Sequence, residues 1–317
     1  MARFMMVFLL PLLRPANGGE ERIHVQSFDG VYLGATLNLP AGPGPHPVIM
    51  FIHGGLGGSG FISLERRKDQ YVQAHLYNAG YAVFQMDYRR YAFGEDELED
   101  VLACYRYLQR REEIDRSRIG VIGGSHGGYL ALMLATRVRP AAVVAFAGLA
   151  DIRGYLYDGA QKVLPTLGAD IDWKEKHLRG GKTIKEESEM LDKGVLEAGQ
   201  SPRSRMVQEV MTDMASRLGD NEALWSKFNP MEQYDHIQSP VLFLVGSKDR
   251  WAESGKKLVE KLASQGKAAE FSLHSDMMHG FYWGTTPDSD GNLPDEFYRA
   301  LQRTTEFMRR WVKPGGG

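Results

Sequence analysis

Residues 118–129 read RIGVIGGSHGGY. Up to Gly124 the side chains are mostly apolar or absent, as in a short strand buried on both faces. From Gly127 the chain continues GGYLALMLATRV, apolar all round, as in a buried helix. Between the two, Gly123-Gly124-Ser125-His126-Gly127 fits G-x-S-x-G. A strand that turns at once into a helix needs a sharp, strained corner. Side chains two residues before and after its tip would collide with the neighbouring strand and helix. Glycines at 123 and 127 remove those collisions. The Ser125 hydroxyl is then held above the sheet edge, at the positive end of the helix that starts there. The alternative without chemistry is a glycine-rich strand–helix turn.

Working outward, the same rhythm recurs. RIHVQSFDGVYLGATLNLP (22–40) alternates around a DG turn and predicts a hairpin at a sheet edge. VIMFIHGG (48–55), YAVFQMDY (81–88), AAVVAFAGLA (141–150) and PVLFLVGSKD (240–249) are further buried-strand runs, and AEFSLHSD (269–276) follows as another strand. DELEDVLACYRYLQRRE (96–112), GKKLVEKLASQG (255–266) and DEFYRALQRTTEFMRRWV (295–312) have helical spacing. Strands alternating with helices predict an α/β fold, a doubly wound and mostly parallel sheet covered on both faces. Residues 152–238 break the rhythm. They hold no convincing strand but carry mixed-charge helical pieces such as KTIKEESEMLDKGVLEAG and SRMVQEVMTDMASRLG. A structureless loop of that length is implausible, so a helical cap over the sheet edge is expected there. The core is expected over 19–151 and 239–313. The alternative is a cap that contributes stability alone.

A serine hydroxyl needs a base, and the base needs an orienting acid. With a strand–serine–helix corner the chain order is Ser, acid, His. Asp249 falls just past the strand in VLFLVGSKDRW, and His279 just past the next one in LHSDMMHGFYW. Rivals are weaker. Asp276 shares the loop of His279, Glu253 enters the following helix, His274 lies within a strand and His236 ends the insertion. The ring of His126 can point either way. An oxyanion needs backbone donors, and HGGLGGSG (53–60) follows the first buried strand. The N–H groups of Gly55 and His126 are the expected donors, with Leu56 the alternative because loop register is open. A phosphate cradle does not fit, because no P-loop lysine follows.

Bulk composition narrows the partners. The 317 residues are 43% hydrophobic and 25% charged, with a formal net charge of −2. No basic block suggests nucleic acid. The one cysteine, Cys104, sits in a helical run and reads as a buried structural thiol; a cysteine zinc site and an intramolecular disulfide are both excluded. No metal or organic cofactor is implied. At the start, Arg3, the apolar run Phe4–Leu13, Ala16 and Gly18 resemble a short secretory signal over 1–18, too short to span a bilayer. Pro11 and Arg14 fit a loosely packed N-terminus equally. The compartment therefore stays open between secreted or periplasmic and cytoplasmic.

Taken together, GPGPHPVIMFIHGG, EIDRSRIGVIGGSHGGY, SPVLFLVGSKD and MMHGF resemble the α/β-hydrolase fold, in its prolyl-oligopeptidase-type and dienelactone-hydrolase-like branch. The resemblance runs from Ile23 to Trp311 and is thinnest over the insertion. It implies Ser125 as nucleophile, His279 as base, Asp249 as orienting acid, and Gly55 with His126 as oxyanion donors. The sequence departs from the branch in three ways. Its peptidases carry a β-propeller ahead of the catalytic domain, where this sequence has about twenty residues. Dienelactone hydrolases use cysteine where this chain has Ser125. Some of the peptidases place a tyrosine where this chain has His53.

The expected activity is hydrolysis of a carboxylic ester through an acyl-enzyme, on a small-molecule ester or a short acyl or peptidyl substrate. A peptidase or amidase, an acyltransferase and a catalytically idle binding protein are the competing readings. A base histidine works only when neutral, so the rate should fall on acidification. Trp251 and Trp283, just past the acid and the base, are candidate pocket residues, as is Tyr155 in the insertion. Plain aromatic packing is their alternative.

Overall fold

A computed structural model describes residues 20–55, 57–58, 71–89, 93–154, 157, 218–284 and 293–314. An eight-stranded sheet runs through them in the order β1-β2-β4-β3-β5-β6-β7-β8. The hairpin strands β1 (Glu21–Gln26) and β2 (Tyr32–Asn38) pair antiparallel at one edge, and β2 meets β4 (Ala82–Met86) antiparallel. From β4 onward the ladder is parallel: β3 (His46–Ile52), β5 (Ile114–Gly124), β6 (Ala142–Phe146), β7 (Val241–Gly246) and β8 (Ala269–His274). Every residue of β3, β4, β6 and β7 is buried, which explains their unbroken apolar runs. Along β5, Ile119–Gly124 is buried, while the added stretch Ile114–Arg118 is more exposed and passes a register shift against β3.

Strand order reverses beside β3. The chain steps from β3 outward to β4, then returns past β3 to β5. Ligands of open parallel sheets bind at such a switch point, outside the carboxyl ends of the strands. Here Ile52 pairs with Gly123, so the loop after β3 and the corner after β5 emerge side by side.

The helices between the strands are α1 (Tyr71–Asn78), α2 (Glu95–Arg110), α3 (His126–Ala135), α5 (Ala252–Ser264) and α7 (Asp295–Trp311), with a short α6 (Phe281–Gly284); α4 is given below. Glu95, Asp96 and Glu97 occupy the first turn of α2, the favourable end for negative charge. All of α3 is buried, as its sequence requires. On α7, Phe297, Ala300, Leu301, Thr304, Phe307 and Met308 form a buried stripe at helical spacing, and most join a core with Ile49, Val144 and Leu244. Cys104 is buried on α2.

Two compact units divide the chain. One comprises 1–90, 95–150 and 230–317; the other comprises 91–94 and 151–229. Within the second, α4 (Glu222–Lys227) is capped by Asn221, whose side chain accepts from the N–H groups of Ala223 and Leu224. Trp225 is buried there and donates to the Gly219 carbonyl at 3.1 Å. The Asn229 side chain accepts from the Ile152 N–H and donates to Asp151. The expected helical pieces at 182–199 and most of 204–219 lie outside the described residues, as does the signal-like segment 1–18. Among the described residues, no helix is long and apolar enough to cross a membrane.

Candidate active site

Ser125 stands between β5 and α3 with φ 55° and ψ −119°, a conformation that side chains other than glycine rarely adopt. Its N–H is fixed by the Phe146 carbonyl at 2.8 Å. A Cβ on Gly123 would overlap the backbone of Gly127, and a Cβ on Gly127 would overlap the carbonyls of Ile52 and His53. Both glycines are therefore needed for the corner to close against β3 and its own helix.

The hydroxyl meets an imidazole. Ser125 Oγ lies 3.0 Å from His279 Nε2, and His279 Nδ1 lies 2.8 Å from Asp249 Oδ2. The second Asp249 oxygen accepts the backbone N–H of Trp251 at 3.0 Å. The Asp249 side chain is wholly buried, while that of His279 is 38% exposed. A buried carboxylate thus backs an imidazole that faces the open side. In such an array the hydroxyl can pass its proton to the imidazole as the oxygen attacks an electrophile.

The two loops that bring acid and histidine together are laced to each other. Ser247 N–H donates to the His274 carbonyl at 2.8 Å and Lys248 N–H to the Met277 carbonyl at 3.0 Å. The Ser247 hydroxyl accepts from the Asp276 N–H at 2.9 Å. A Cβ on Gly246 would overlap the Met277 carbonyl, so that glycine lets the loops close. The Trp251 ring is buried and packs edge-on against the His279 ring, 4.4 Å between centroids and 86° between planes. The Arg250 guanidinium lies 5.0 Å from the Trp251 ring centre.

The other titratable residues noted in the sequence have different partners. Asp276 pairs with Lys248 at the surface, and Glu253 with Lys257 along α5. His274 is buried, with Nδ1 on Glu296 at 2.9 Å and Nε2 near the Ser272 hydroxyl. Burial holds its pKa below the ordinary histidine value, against the pull of Glu296. His236 ends a short 3-10 turn, exposed. The His126 ring points inward, with Nε2 3.0 Å from the Glu97 carboxylate.

The loop after β3 lies against the corner. A Cβ built on Gly54 would stand 2.7 Å from the Gly124 carbonyl oxygen and 3.1 Å from the Ser125 Cβ. Gly55 follows with φ +74°, a conformation that favours glycine. Leu56, Tyr155 and the Trp283 side chain lie outside the described residues. Sequence reasoning passed over the residues that hold this loop. The His53 ring bonds the Asp87 carboxylate at 2.8 Å, and the Tyr88 hydroxyl meets the carbonyls of His53 and Gly55. The signal was an acid and a tyrosine directly after a buried strand, in QMDYRR. Among the described residues, no group of three His, Cys, Asp or Glu could hold a metal ion.

The α/β hydrolase fold family matches residues 49–283, and the chain belongs to that family. Curated relatives of the chain include, by name, a peptidase and a thioesterase. It is 23% identical over 303 residues to the uncharacterized peptidase YtmA of Bacillus subtilis, covering 90% of this chain and 94% of that one. It is 25% identical over 270 residues to acyl-coenzyme A thioesterase 2 of Mus musculus, covering 82% of this chain but only 48% of that protein. Among solved structures, carboxyl esterase 2 of Tuber melanosporum superposes with a TM-score of 0.62 at 18% identity, over 93% of this chain and 88% of that one. The acylaminoacyl peptidase of Pyrococcus horikoshii does so with the same score and identity, over 94% of this chain and 42% of that one. At such identity these two structures speak to the fold alone.

Proposed function

We propose that the chain is a serine hydrolase that cleaves a carboxylic ester through an acyl-enzyme. The observation that carries this reading is the line Ser125 Oγ, His279 Nε2, His279 Nδ1, Asp249 Oδ2, with gaps of 3.0 and 2.8 Å. In the first half-reaction Ser125 attacks the ester carbonyl and its proton passes to His279. The tetrahedral oxyanion is held by backbone N–H groups of His126 and the 53–55 loop. As the C–O bond to the leaving group breaks, His279 gives that proton to the departing alcohol. In the second half-reaction water attacks the acyl-enzyme, loses a proton to His279, and the acid leaves as Ser125 recovers its proton. Asp249 holds the imidazole tautomer and offsets the charge it gains.

A second reading, a peptidase or amidase with the same groups, is favoured by the Bacillus relative, which matches over nearly its whole length and is named a peptidase. The two differ in the leaving group that His279 must protonate. A panel of matched acyl esters, thioesters and anilides, each assayed with wild type and Ser125→Ala, separates them. The ester reading expects ester turnover well above anilide turnover, abolished by Ser125→Ala. Anilide turnover equal to or above ester turnover assigns a peptidase.

A further inference from the structure

The oxyanion step of that mechanism depends on amides in a glycine loop, and glycine backbone does not hold its own orientation. Something else must aim those amides. The Tyr88 hydroxyl lies 2.9 Å from the His53 carbonyl oxygen and 2.7 Å from that of Gly55. The intervening Gly54 carbonyl faces His53 Nδ1 at 3.0 Å, and the ring donates there and to Asp87 at once when both its nitrogens carry protons, a form the Asp87 carboxylate favours. Three consecutive carbonyls are thus engaged by two side chains. A peptide is planar, with its C=O and N–H on opposite edges. Holding the His53 carbonyl on Tyr88 turns the Gly54 N–H away from that hydroxyl. Holding the Gly54 carbonyl on the His53 ring turns the Gly55 N–H away from that ring.

The Tyr88 ring also links the two segments that supply the donors. It stacks on the His53 ring, 4.6 Å between centroids and 21° between planes. It lies 5.8 Å from the His126 ring, which belongs to the residue after the serine. Asp87 ties the same pieces from below. Its Oδ1 bonds His53 Nε2 and accepts the N–H groups of Tyr88 and Gly58. Glu97 holds His126 from α2.

We propose that Tyr88 is a positioning residue for the oxyanion step, its hydroxyl and the His53 ring together setting the peptide orientation of the 53–55 loop. The proposal rests on the acyl-enzyme reading. It touches no reacting atom: Tyr88 acts on the transition state through the amides it orients, and leaves ground-state binding almost unchanged.

The test is Tyr88→Phe, which keeps the ring stack and removes the hydroxyl. Two quantities are read: kcat and KM on p-nitrophenyl butyrate, and the inhibition constant of an alkyl boronic acid, whose tetrahedral serine adduct mimics the oxyanion. The expected result is a fall in kcat of about 10- to 100-fold, somewhat less than deletion of a whole donor. KM should move by less than about 2-fold, and boronate affinity should fall in step with kcat/KM. His53→Gln is the second variant. It retains a donor for Asp87, loses the hold on the Gly54 carbonyl, and should fall on the same line. Wild-type kcat with wild-type boronate affinity in a folded variant overturns the proposal. So does a loss confined to KM. Ser125→Ala is run in parallel. If it abolishes turnover while Tyr88→Phe changes nothing, the positioning role alone fails. If Ser125→Ala leaves turnover intact, the acyl-enzyme reading fails and takes this proposal with it.

Discussion

The Trp251 ring stands edge-on to His279, while the backbone N–H of the same residue donates to one oxygen of Asp249 and His279 takes the other. One residue therefore braces both partners of the serine. A buried indole this close limits how far the imidazole can swing, so its removal should misplace the base. Trp251→Ala is expected to lower kcat by about 10- to 100-fold, as misplacement near 1 Å can do. Trp251→Phe keeps an aromatic edge and should recover most of that loss. Steady-state kinetics on one ester checks it. A change in KM alone would make Trp251 a pocket residue.

Gly127 has no space for a methyl group, since a Cβ there would run into the backbone of Ile52 and His53. Backbone cannot move aside as a flexible side chain can. Gly127→Ala should therefore open the corner, abolish turnover, and destabilise the fold by about 3 kcal/mol, the upper range for overpacking. Urea unfolding and ester assay of the same preparation check both effects. An active variant of wild-type stability would mean that the corner is not held against β3.

His274 links the start of α7 to the end of β8 through Glu296. Burial lowers its pKa below the ordinary histidine value, with Glu296 opposing and Arg299 adding to the fall. The unfolded chain then takes up the proton first as pH falls. The neutral ring's contribution is full above the unfolded value and is lost as pH falls through the lower folded value. Wild type should thus lose more stability between about pH 7.5 and about pH 5 than His274→Gln does. Urea midpoints across that range decide it. Parallel slopes in the two proteins would contradict the assignment.

Much of this is legible in the sequence. Each unbroken apolar run became a buried strand, because a parallel sheet covered on both faces leaves no polar side for alternation to report. The corner at Ser125 was legible for a related reason: sterics tie glycine to positions 123 and 127, and sterics can be read from residue type. Helix α1 was missed. Its buried Val72 and Leu76 sit in a short, mixed segment with little periodicity. The full length of β5 was missed because Asp115, Arg116 and Ser117 look like a loop. At the site, local signals gave Asp249 and His279 their places after successive strands. What the sequence hid was the support: Asp87, Tyr88 and Glu97 act through contacts 29 to 35 residues away along the chain. Such pairings depend on strand order, which local patterns do not encode.

The central claim is that Ser125 is an activated nucleophile, and a fluorophosphonate probe tests it most directly. Such a probe forms a stable adduct only with a serine whose proton a base can take. Wild type, Ser125→Ala, His279→Ala and Asp249→Asn are labelled side by side, and the adduct is mapped by peptide mass spectrometry. One adduct is expected, on Ser125, absent from Ser125→Ala and slowed by about 1,000-fold or more without His279. Asp249→Asn should be slowed strongly as well. An adduct at another residue, or none in folded wild type, would contradict it.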